Sequence, residues 1–510
     1  KAGSILFYNI KSQSATSGGK FDVTNANAGN ATIGKYSFAF YTNDNLFSGG
    51  TTFTQFLDDW IGASGPGVKL TMKPGSSLLL DDVSDAANKN VLFSNITPIT
   101  GPTLQNKSSK IVATLTGDYQ YLTVKGADVK IDETNYDLSD VNNKLNKVSI
   151  YDSNITVNNG TTVHDGASPN VAASTNLVSQ GYILGVNNGR TLTNKGTITM
   201  NSTTPALKTL VAIGTDDKTH TVASKAVNDG TITVGKASTA IYAKDYQITG
   251  VENNGIINLS GDNGIAISYA PNLTATVLVE NKKTIASTAK KRTGIFAAKD
   301  TNSIQYSALN SGTITLGEGG VGIYTNATSA AVSPILSNTG TITVGKTGIA
   351  LYSQDGNVTI GSASKSPTIT VGDTNATAVY TIGNGQTVTS TNASYNIGTD
   401  SYGFVNKGTG NTVTINGGAA TLEDNGVFIY SNDTAGNITN STAMSSTGTV
   451  GSNIGIYSAG TVTNSGNITF TGGTGNIGVY STSNGTITNS GAITGHMELI
   501  VLILTWILEL

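Results

Sequence analysis

The sequence is poor in several residue types that many proteins depend on. It has no cysteine among 510 residues, which excludes disulfides, thiolate metal sites and thiol nucleophiles. Charged residues make up only 12%, about half the usual share, and the net charge is −3. Arginine occurs only at Arg190 and Arg292, so bidentate binding of phosphates is nearly excluded. No basic patch is present, and the sequence therefore predicts no nucleic acid as a partner.

Small polar residues take the place of the missing ones. The chain contains 61 glycines and is rich in Asn, Thr and Ser, all of which are weak helix formers. A disordered chain would carry a much higher net charge than this one does. The composition therefore favours short β-strands joined by frequent turns.

A repeated unit with a period of about 28 residues dominates the second half of the chain. It reads Asn-x-Gly-x-Ile-x-apolar, then a short turn, then small-Gly-Ile-Tyr, as in "NSGTITLGEGGVGIY" from Asn310. Weaker copies occur between Asn338 and Asn464. The opening asparagine of the clear copies recurs at Asn194, Asn228, Asn253, Asn281, Asn310, Asn338, Asn464 and Asn489.

The repeat predicts an all-β solenoid, a parallel β-helix with three short strands per coil. Within "TITV", Ile232 and Val234 point to one side and the threonines to the other, and helical periodicity is missing. One coil alone cannot cover its apolar interior or pair its backbone, but stacked coils do both. We expect the repeated Asn and Gly to occupy sharp turns with positive φ. The asparagines could also form a hydrogen-bonded column.

The repeats divide the chain into three predicted regions. Residues 1–190 repeat poorly and are interpreted as an N-terminal cap with irregular early coils, including a helical pattern at Phe53 to Gly62. Residues 191–495 are interpreted as the regular coils. Residues 496–510 begin with His-Met and are apolar and Leu-rich, so we expect them to be a non-native, vector-derived tail.

No recognisable active site is present in the sequence. Adjacent carboxylates occur at Asp58–Asp59, Asp81–Asp82 and Asp216–Asp217, the last near His220. Neighbouring residues on a strand point to opposite faces, so such pairs do not by themselves form an acid/base couple. The sequence therefore predicts a non-enzymatic protein without catalytic residues, metal or cofactor.

Seven tyrosines follow the Gly-Ile positions of the repeat and form the candidate ligand-binding strip. In "VGIY", Val321 and Ile323 are expected to face the interior, which turns Tyr324 outward. Two interpretations remain open: the rings stack on one another to stabilise the sheet, or they bind sugars or a receptor. The seven are Tyr242, Tyr324, Tyr352, Tyr380, Tyr430, Tyr457 and Tyr480.

The repeats resemble those in the passenger domains of type V autotransporter adhesins, and are most similar to the large fusobacterial RadD-type adhesins. The likeness rests on units such as "NDGTITVGKASTAIY" from Asn228, and covers residues 190 to 495 well. It implies a right-handed β-helix on the bacterial outer membrane, tethered through a C-terminal β-barrel absent from this sequence. It also implies binding to host cell-surface protein receptors or glycans, and co-aggregation with other bacteria. No binding residue of the family maps onto a position here.

Three functional hypotheses remain at this stage. The first is a non-enzymatic surface adhesin whose lateral surface or cap binds a ligand. The second is a β-helical polysaccharide-degrading enzyme. The third is a passive spacer that holds a binding head away from the membrane.

Overall fold

The computed structural model describes residues 5–8, 30–60, 68–99, 101–105, 111–115, 119–140, 142–165, 182–186, 188–200, 209–213, 224–245, 248–271, 277–298, 306–326, 335–483 and 485–496. The chain divides into two compact units. Unit 1 comprises residues 1–204 and 222–231, and unit 2 comprises 205–221 and 232–510. The predicted tail, from residue 497 onward, lies outside the described residues.

The first sheet of unit 2, called the asparagine sheet, contains the strands that end in the repeated asparagine. Its neighbouring strands pair in parallel, for example Val279 with Ala308 and Ala308 with Leu336. These three side chains are fully buried. Its strands are Ile248–Asn253, Val277–Asn281, Tyr306–Asn310, Ile335–Asn338, Asn357–Gly361, Thr387–Thr391, Thr412–Asn416, Asn437–Asn440, Thr461–Asn464 and Ile487–Asn489.

The second sheet of unit 2, called the isoleucine sheet, contains the Thr-Ile-Thr-apolar strands. Ile285, Ile314 and Ile342 lie directly above one another and are fully buried, while the threonines beside them face outward. Its strands are Ile256–Leu259, Thr284–Ala286, Thr313–Leu316, Thr341–Val344, Thr368–Val371, Ser394–Ile397, Ala419–Leu422, Ala443–Ser446, Ile468–Phe470 and Ile493–Gly495. A further strand, Thr231–Val234, spans the division between the units.

The third sheet of unit 2, called the tyrosine sheet, contains the strands with the Gly-Ile-Tyr sequence. Ile295, Ile323 and Leu351 pair in register and are fully buried. Its strands are Thr209–Ile213, Thr239–Asp245, Ile265–Pro271, Thr293–Ala298, Val321–Asn326, Ile349–Gln354, Thr377–Ile382, Tyr402–Lys407, Val427–Ser431, Ile454–Ser458 and Ile477–Ser481. With three parallel sheets enclosing three columns of aliphatic side chains, the predicted parallel β-helix is confirmed, with about eleven turns.

Unit 1 also consists mostly of parallel strands, in shorter columns. A column from Asn90 to Asn228 and a second from Asn135 to Met200 pair in parallel. Of the two other sheets, one is wholly parallel and the other has one antiparallel pair, Thr103–Gln105 with Ile111–Leu115. The strands are Ile5–Tyr8, Asn30–Ile33, Phe38–Thr42, Val68–Met72, Ser77–Asp82, Asn90–Leu92, Thr103–Gln105, Ile111–Leu115, Gln120–Lys125, Asp128–Ile131, Asn135–Asp137, Val148–Tyr151, Asn154–Val157, Thr162–His164, Tyr182–Val186, Thr191–Asn194, Thr197–Met200 and Ser224–Asn228.

The predicted helical segment of unit 1 is confirmed as an α-helix at Phe53–Trp60. Its buried Phe53 and Phe56 are three residues apart and lie on one face, as an amphipathic helix requires. Phe53 contacts Tyr121 at a ring separation of 5.3 Å, and Phe56 contacts Phe40 at 5.6 Å. A short α-helix lies at Lys144–Lys147, and 3-10 turns lie at Leu46–Ser48 and Phe93–Asn95.

The repeated asparagines form a hydrogen-bonded column, the asparagine ladder, as the sequence suggested. Asn281 donates through Nδ2 to Oδ1 of Asn310 at 2.7 Å, and Asn310 donates in the same way to Asn338 at 2.8 Å. All three side chains are fully buried. The same bond joins the pairs Asn194–Asn228, Asn253–Asn281, Asn440–Asn464 and Asn464–Asn489.

The expectation of positive φ at the repeated Asn and Gly is wrong. Neither Asn310 nor Gly312 adopts the left-handed conformation. Glycine is needed because successive coils approach too closely for a side chain: a Cβ on Gly340 would overlap the carbonyl oxygen of Gly312. Left-handed residues lie at the other turn, before the strands of the tyrosine sheet from Thr239–Asp245 onward. They include Ala237, Asn263, Lys291, Gly319, Thr347, Asn375, Asp400, Asn425 and Ser452.

The asparagine ladder yields a stability test at its centre. Asn310→Ala removes the acceptor of Asn281 Nδ2 and the donor to Asn338 Oδ1. Each of these two buried atoms then has one hydrogen bond fewer. We expect a loss of about 1–3 kcal/mol in the free energy of unfolding, measured by urea denaturation. The control, Asn396→Ala, removes an exposed asparagine bonded to Thr370 and should cost less than about 0.5 kcal/mol. Equal losses would show that the ladder adds nothing.

A buried carboxyl in unit 1 yields a pH test. Asp81 is fully buried, and its Oδ2 accepts from the backbone N–H of Leu46 at 3.1 Å. Burial raises the pKa of Asp81 from 3.8 to about 7. Because the folded-state value is the higher one, the stability from the protonated form is complete below pH ~4 and lost as pH rises towards 7.

Asp81→Asn should remove this pH dependence. Between pH 4 and pH 8 we expect the variant to gain about 2–4 kcal/mol of unfolding free energy relative to the wild type. Chemical denaturation at the two pH values measures the gain. The exposed Asp85→Asn is the control and should change little. If the difference in unfolding free energy between Asp81→Asn and wild type is the same at pH 4 and pH 8, the raised pKa assigned to Asp81 is wrong.

Candidate functional site

The outward side chains of the tyrosine sheet form a stack of rings. Phe296, Tyr324, Tyr352 and Tyr380 follow one another at centroid separations of 5.0, 4.8 and 5.3 Å, with planes within 8° of parallel. The in-register pairing of their strands causes this, because it places each ring one strand spacing from the next.

A second stack continues further along the same sheet. The rings of Tyr430 and Tyr457 are 4.9 Å apart, and those of Tyr457 and Tyr480 are 5.2 Å apart. We call the two stacks, Phe296 to Tyr380 and Tyr430 to Tyr480, the aromatic ladder. All its rings are half-buried. Six of the seven predicted tyrosines are therefore brought together in the ladder.

The seventh tyrosine, Tyr242, occupies the same outward position but is separated from the ladder. It pairs with Ser268, which in turn pairs with Phe296. A second interruption occurs at Val405, which lies between Tyr380 and Tyr430 in the register. Each interruption replaces one ring with a smaller side chain.

The expected alternation of the tyrosine-sheet strands is only partly right. Val321 was expected inside with Ile323, yet Val321 is half-buried, and Gly322 and Ile323 are both buried. Gly322 is left out of the register pairing and lies against Ile342, where an added Cβ would be 3.0 Å from that side chain. Alternation resumes at Ile323, so Tyr324 still points outward.

Small polar residues behind the rings hold neighbouring strands in register. The residue after most of the ladder tyrosines points inward, and several of these bond to the next coil; Ser481, which follows Tyr480, is only half-buried. Thr325 contacts Ser353 at 3.3 Å through their hydroxyls. Asn406 accepts from Thr381 at 3.1 Å and donates to Ser431 at 3.1 Å. The strands that carry the rings from Tyr324 to Tyr430 are therefore also joined to a neighbouring strand through their inward polar side chains.

Partial burial and a nearby cation characterise the environment of the first stack in the described part of the chain. Burial between its neighbours raises the pKa of Tyr352 above its ordinary value. Lys407 places its Nζ 5.4 Å from the centroid of Tyr380, at the end of the first stack. An ammonium over a ring face is attracted by the ring quadrupole. The ladder thus offers apolar ring edges, phenol hydroxyls and one positive charge.

Of the carboxylate pairs considered in the sequence, Asp81–Asp82 is the one whose two side chains are both described; the side chain of Asp59 lies outside the described residues. Asp81 is buried, whereas Asp82 points outward and pairs with Lys125 at 2.6 Å. This confirms that the two neighbours face opposite ways. Asp216, Asp217 and His220 lie outside the described residues. Within the described ranges, no three residues of the His, Cys, Asp and Glu types converge.

The fold defines the chain as a parallel β-helix that carries an external aromatic ladder. Comparisons with family models, characterised proteins and solved structures found no match to this chain. Among the helices in the described part of the chain, none is long and apolar enough to cross a membrane.

Two ladder features were missed by the sequence reasoning. Phe296 belongs to the first stack, and its "GIF" context matches the "GIY" of the other copies, so the signal was present. The position of Lys407 beside Tyr380 had no local signal. It depends on the pairing of residues that are far apart in sequence.

The ladder yields a stability test at an internal ring. Tyr352→Leu keeps an apolar side chain but removes stacking on both sides. We expect a loss of about 0.5–1.5 kcal/mol in unfolding free energy, by chemical denaturation. Tyr151 is exposed and serves as the control, because Tyr151→Leu should stay within about 0.5 kcal/mol of wild type. If Tyr352→Leu and Tyr151→Leu have the same unfolding free energy, ring stacking does not stabilise the fold.

Proposed function

We propose that this chain is a segment of a non-enzymatic adhesin displayed on a bacterial surface. Its partner would be a host cell-surface protein receptor or glycan, or the surface of another bacterium. The observation that carries the proposal is the aromatic ladder. Tyrosines enriched on an accessible, rigid surface are typical of recognition sites, since they supply contact area at low entropic cost.

The rigidity of the ladder supports this role. Each ring is fixed by its stacked neighbours at 4.8 to 5.3 Å in the first stack, and its strand is paired on both sides. A rigid surface loses little conformational freedom on binding. The rings also repeat at one spacing, which suits an extended or multivalent ligand.

The ladder also stabilises the sheet, so the two interpretations of the tyrosines are compatible. Stacking uses the ring faces, whereas a partner would contact the exposed edges and hydroxyls. Partial burial of every ring agrees with this division. The proposal therefore concerns the outer edge of the ladder and leaves the stacking in place.

The proposal is tested with a triple variant in which Tyr324, Tyr352 and Tyr380 are all replaced by serine. We expect attachment of the purified chain to host cells or partner bacteria to weaken at least about tenfold, because several central contacts are lost. The matched control substitutes three outward threonines of the isoleucine sheet, Thr315, Thr343 and Thr370, with alanine. Flow cytometry with labelled protein measures attachment, and circular dichroism checks the fold.

Other outcomes would favour the alternatives. Normal attachment by the serine variant with an intact fold would contradict a role for the ladder. A chain that attaches to no cell or bacterial surface would favour a passive spacer. New reducing ends released from a surface polysaccharide by the wild-type chain would favour an enzyme.

A further inference from the structure

A loop in unit 1 places several oxygen-bearing side chains against a buried carboxyl. The loop runs from Thr42 to Asn45, reads Thr-Asn-Asp-Asn, and follows the strand Phe38–Thr42. We call it the Thr42 loop. Thr42 pairs in register with Asp81 of the neighbouring strand, and the backbone N–H of Leu46 donates to Oδ2 of Asp81 at 3.1 Å. The loop is therefore folded against Asp81, whose side chain is fully buried.

Three oxygen atoms in this region are buried and accept no hydrogen bond from any residue that the structure describes. They are the Oδ1 atoms of Asn43, Asn45 and Asp81. The orientation of the Asn45 amide is fixed, because its Nδ2 donates to the carbonyl oxygens of Asn88 and Asn90 at 2.6 and 3.0 Å. A buried acceptor that lacks a donor is costly, and an ion or a water is its usual partner.

The charge around Asp81 is negative. Burial raises the pKa of Asp81, and the nearby carboxylates of Asp44 and Asp82 act in the same direction. Asp82 has a partner of its own, since Lys125 lies 2.6 Å from it. In the described part of the chain, no positively charged side chain pairs with Asp81. The region thus combines unpaired oxygens with uncompensated negative charge.

We propose that the Thr42 loop and Asp81 bind a calcium ion through the Oδ1 atoms of Asn43, Asn45 and Asp81. Ca²⁺ typically takes about six to eight oxygen ligands, and carboxylates, side-chain amides, backbone carbonyls and waters all serve. Zn²⁺ prefers nitrogen and sulfur ligands, and Mg²⁺ demands a stricter octahedral geometry. A proton on Asp81 could satisfy only one of the other two oxygens, whereas a cation can contact all three.

The ion would fix the entry to the helix of unit 1. The Thr42 loop leads directly into the 3-10 turn Leu46–Ser48, and Phe47 of this turn packs on Phe53 of the helix at a ring separation of 5.1 Å. A cation shared by the loop and Asp81 would join this turn to the sheet. The sequence predicted no metal because Asp81 is distant from the loop in the chain. The inference does not depend on the proposed adhesive function.

The test is a calcium titration of the full chain after EDTA treatment and dialysis. Isothermal titration calorimetry should show one binding site for CaCl₂ and weaker binding of MgCl₂. Because the ion binds the folded protein, calcium should also raise the midpoint of urea denaturation. If no calcium binds and the midpoint is the same in calcium and in EDTA, the proposal is wrong.

Two substitutions of Asn43 separate a ligand from a structural side chain. Asn43→Ala removes one oxygen and should weaken calcium binding at least about tenfold. Asn43→Asp keeps an oxygen there and adds a negative charge, so it should bind calcium more tightly than the wild type. A side chain with a purely structural role would not produce these opposite effects. The control, Asp85→Asn, changes an exposed acid and should bind calcium like the wild type.

Asp81→Asn tests the buried carboxylate and should also weaken calcium binding at least about tenfold. A bound ion would keep Asp81 ionised, so the pH comparison of this variant with the wild type is made in EDTA. Asn43 is half-buried, and its variants test the proposal even if Asp81→Asn does not fold. Wild-type calcium affinity in folded Asn43→Ala and Asp81→Asn would place the ion elsewhere. Binding by Asn43→Asp that is no tighter than binding by Asn43→Ala would overturn Asn43 as a ligand.

Discussion

In-register parallel stacking is the constraint on which the rest of this structure depends. Each residue of a coil lies directly above its equivalent in the coil before, at one strand spacing. A residue type that recurs at one position of the repeat therefore forms a column of like side chains along the stacked coils. Isoleucines become a buried core, asparagines a chain of amide hydrogen bonds, and tyrosines a stack of rings. Apolar packing, amide hydrogen bonding and ring stacking therefore all follow from in-register parallel pairing.

A column can accommodate a side chain of unusual size when the equivalent residue of the next coil is correspondingly small. Tyr395 replaces an isoleucine in the core of the isoleucine sheet, and the next residue in its column is the small Ala420. The ring of Tyr395 packs against Phe404 and Phe428, and its hydroxyl lies 2.6 Å from Ser390. The small Ala420 in the next coil compensates for the large volume of Tyr395, as close packing of the core demands. The contact with Ser390 compensates for burial of the tyrosine hydroxyl.

Burial decides which columns can take part in recognition. The asparagine ladder is enclosed, so its hydrogen-bonding capacity is used within the protein. The aromatic ladder is half-buried, so part of each aromatic side chain stays accessible to solvent. Its repeated rings give an extended surface, which is interrupted where Val405 takes the place of a ring.

The sequence by itself determined the parallel β-helix, the outward tyrosines, the asparagine column and the helix at Phe53–Trp60, because local periodicity and repetition carry that information. It did not determine why Gly312 is glycine, that Val321 turns outward, or that Val405 lies between Tyr380 and Tyr430. Those features depend on how closely coils approach and on which residues pair across loops of unequal length. Only the stacked structure decides them, since register is set by contacts between distant segments.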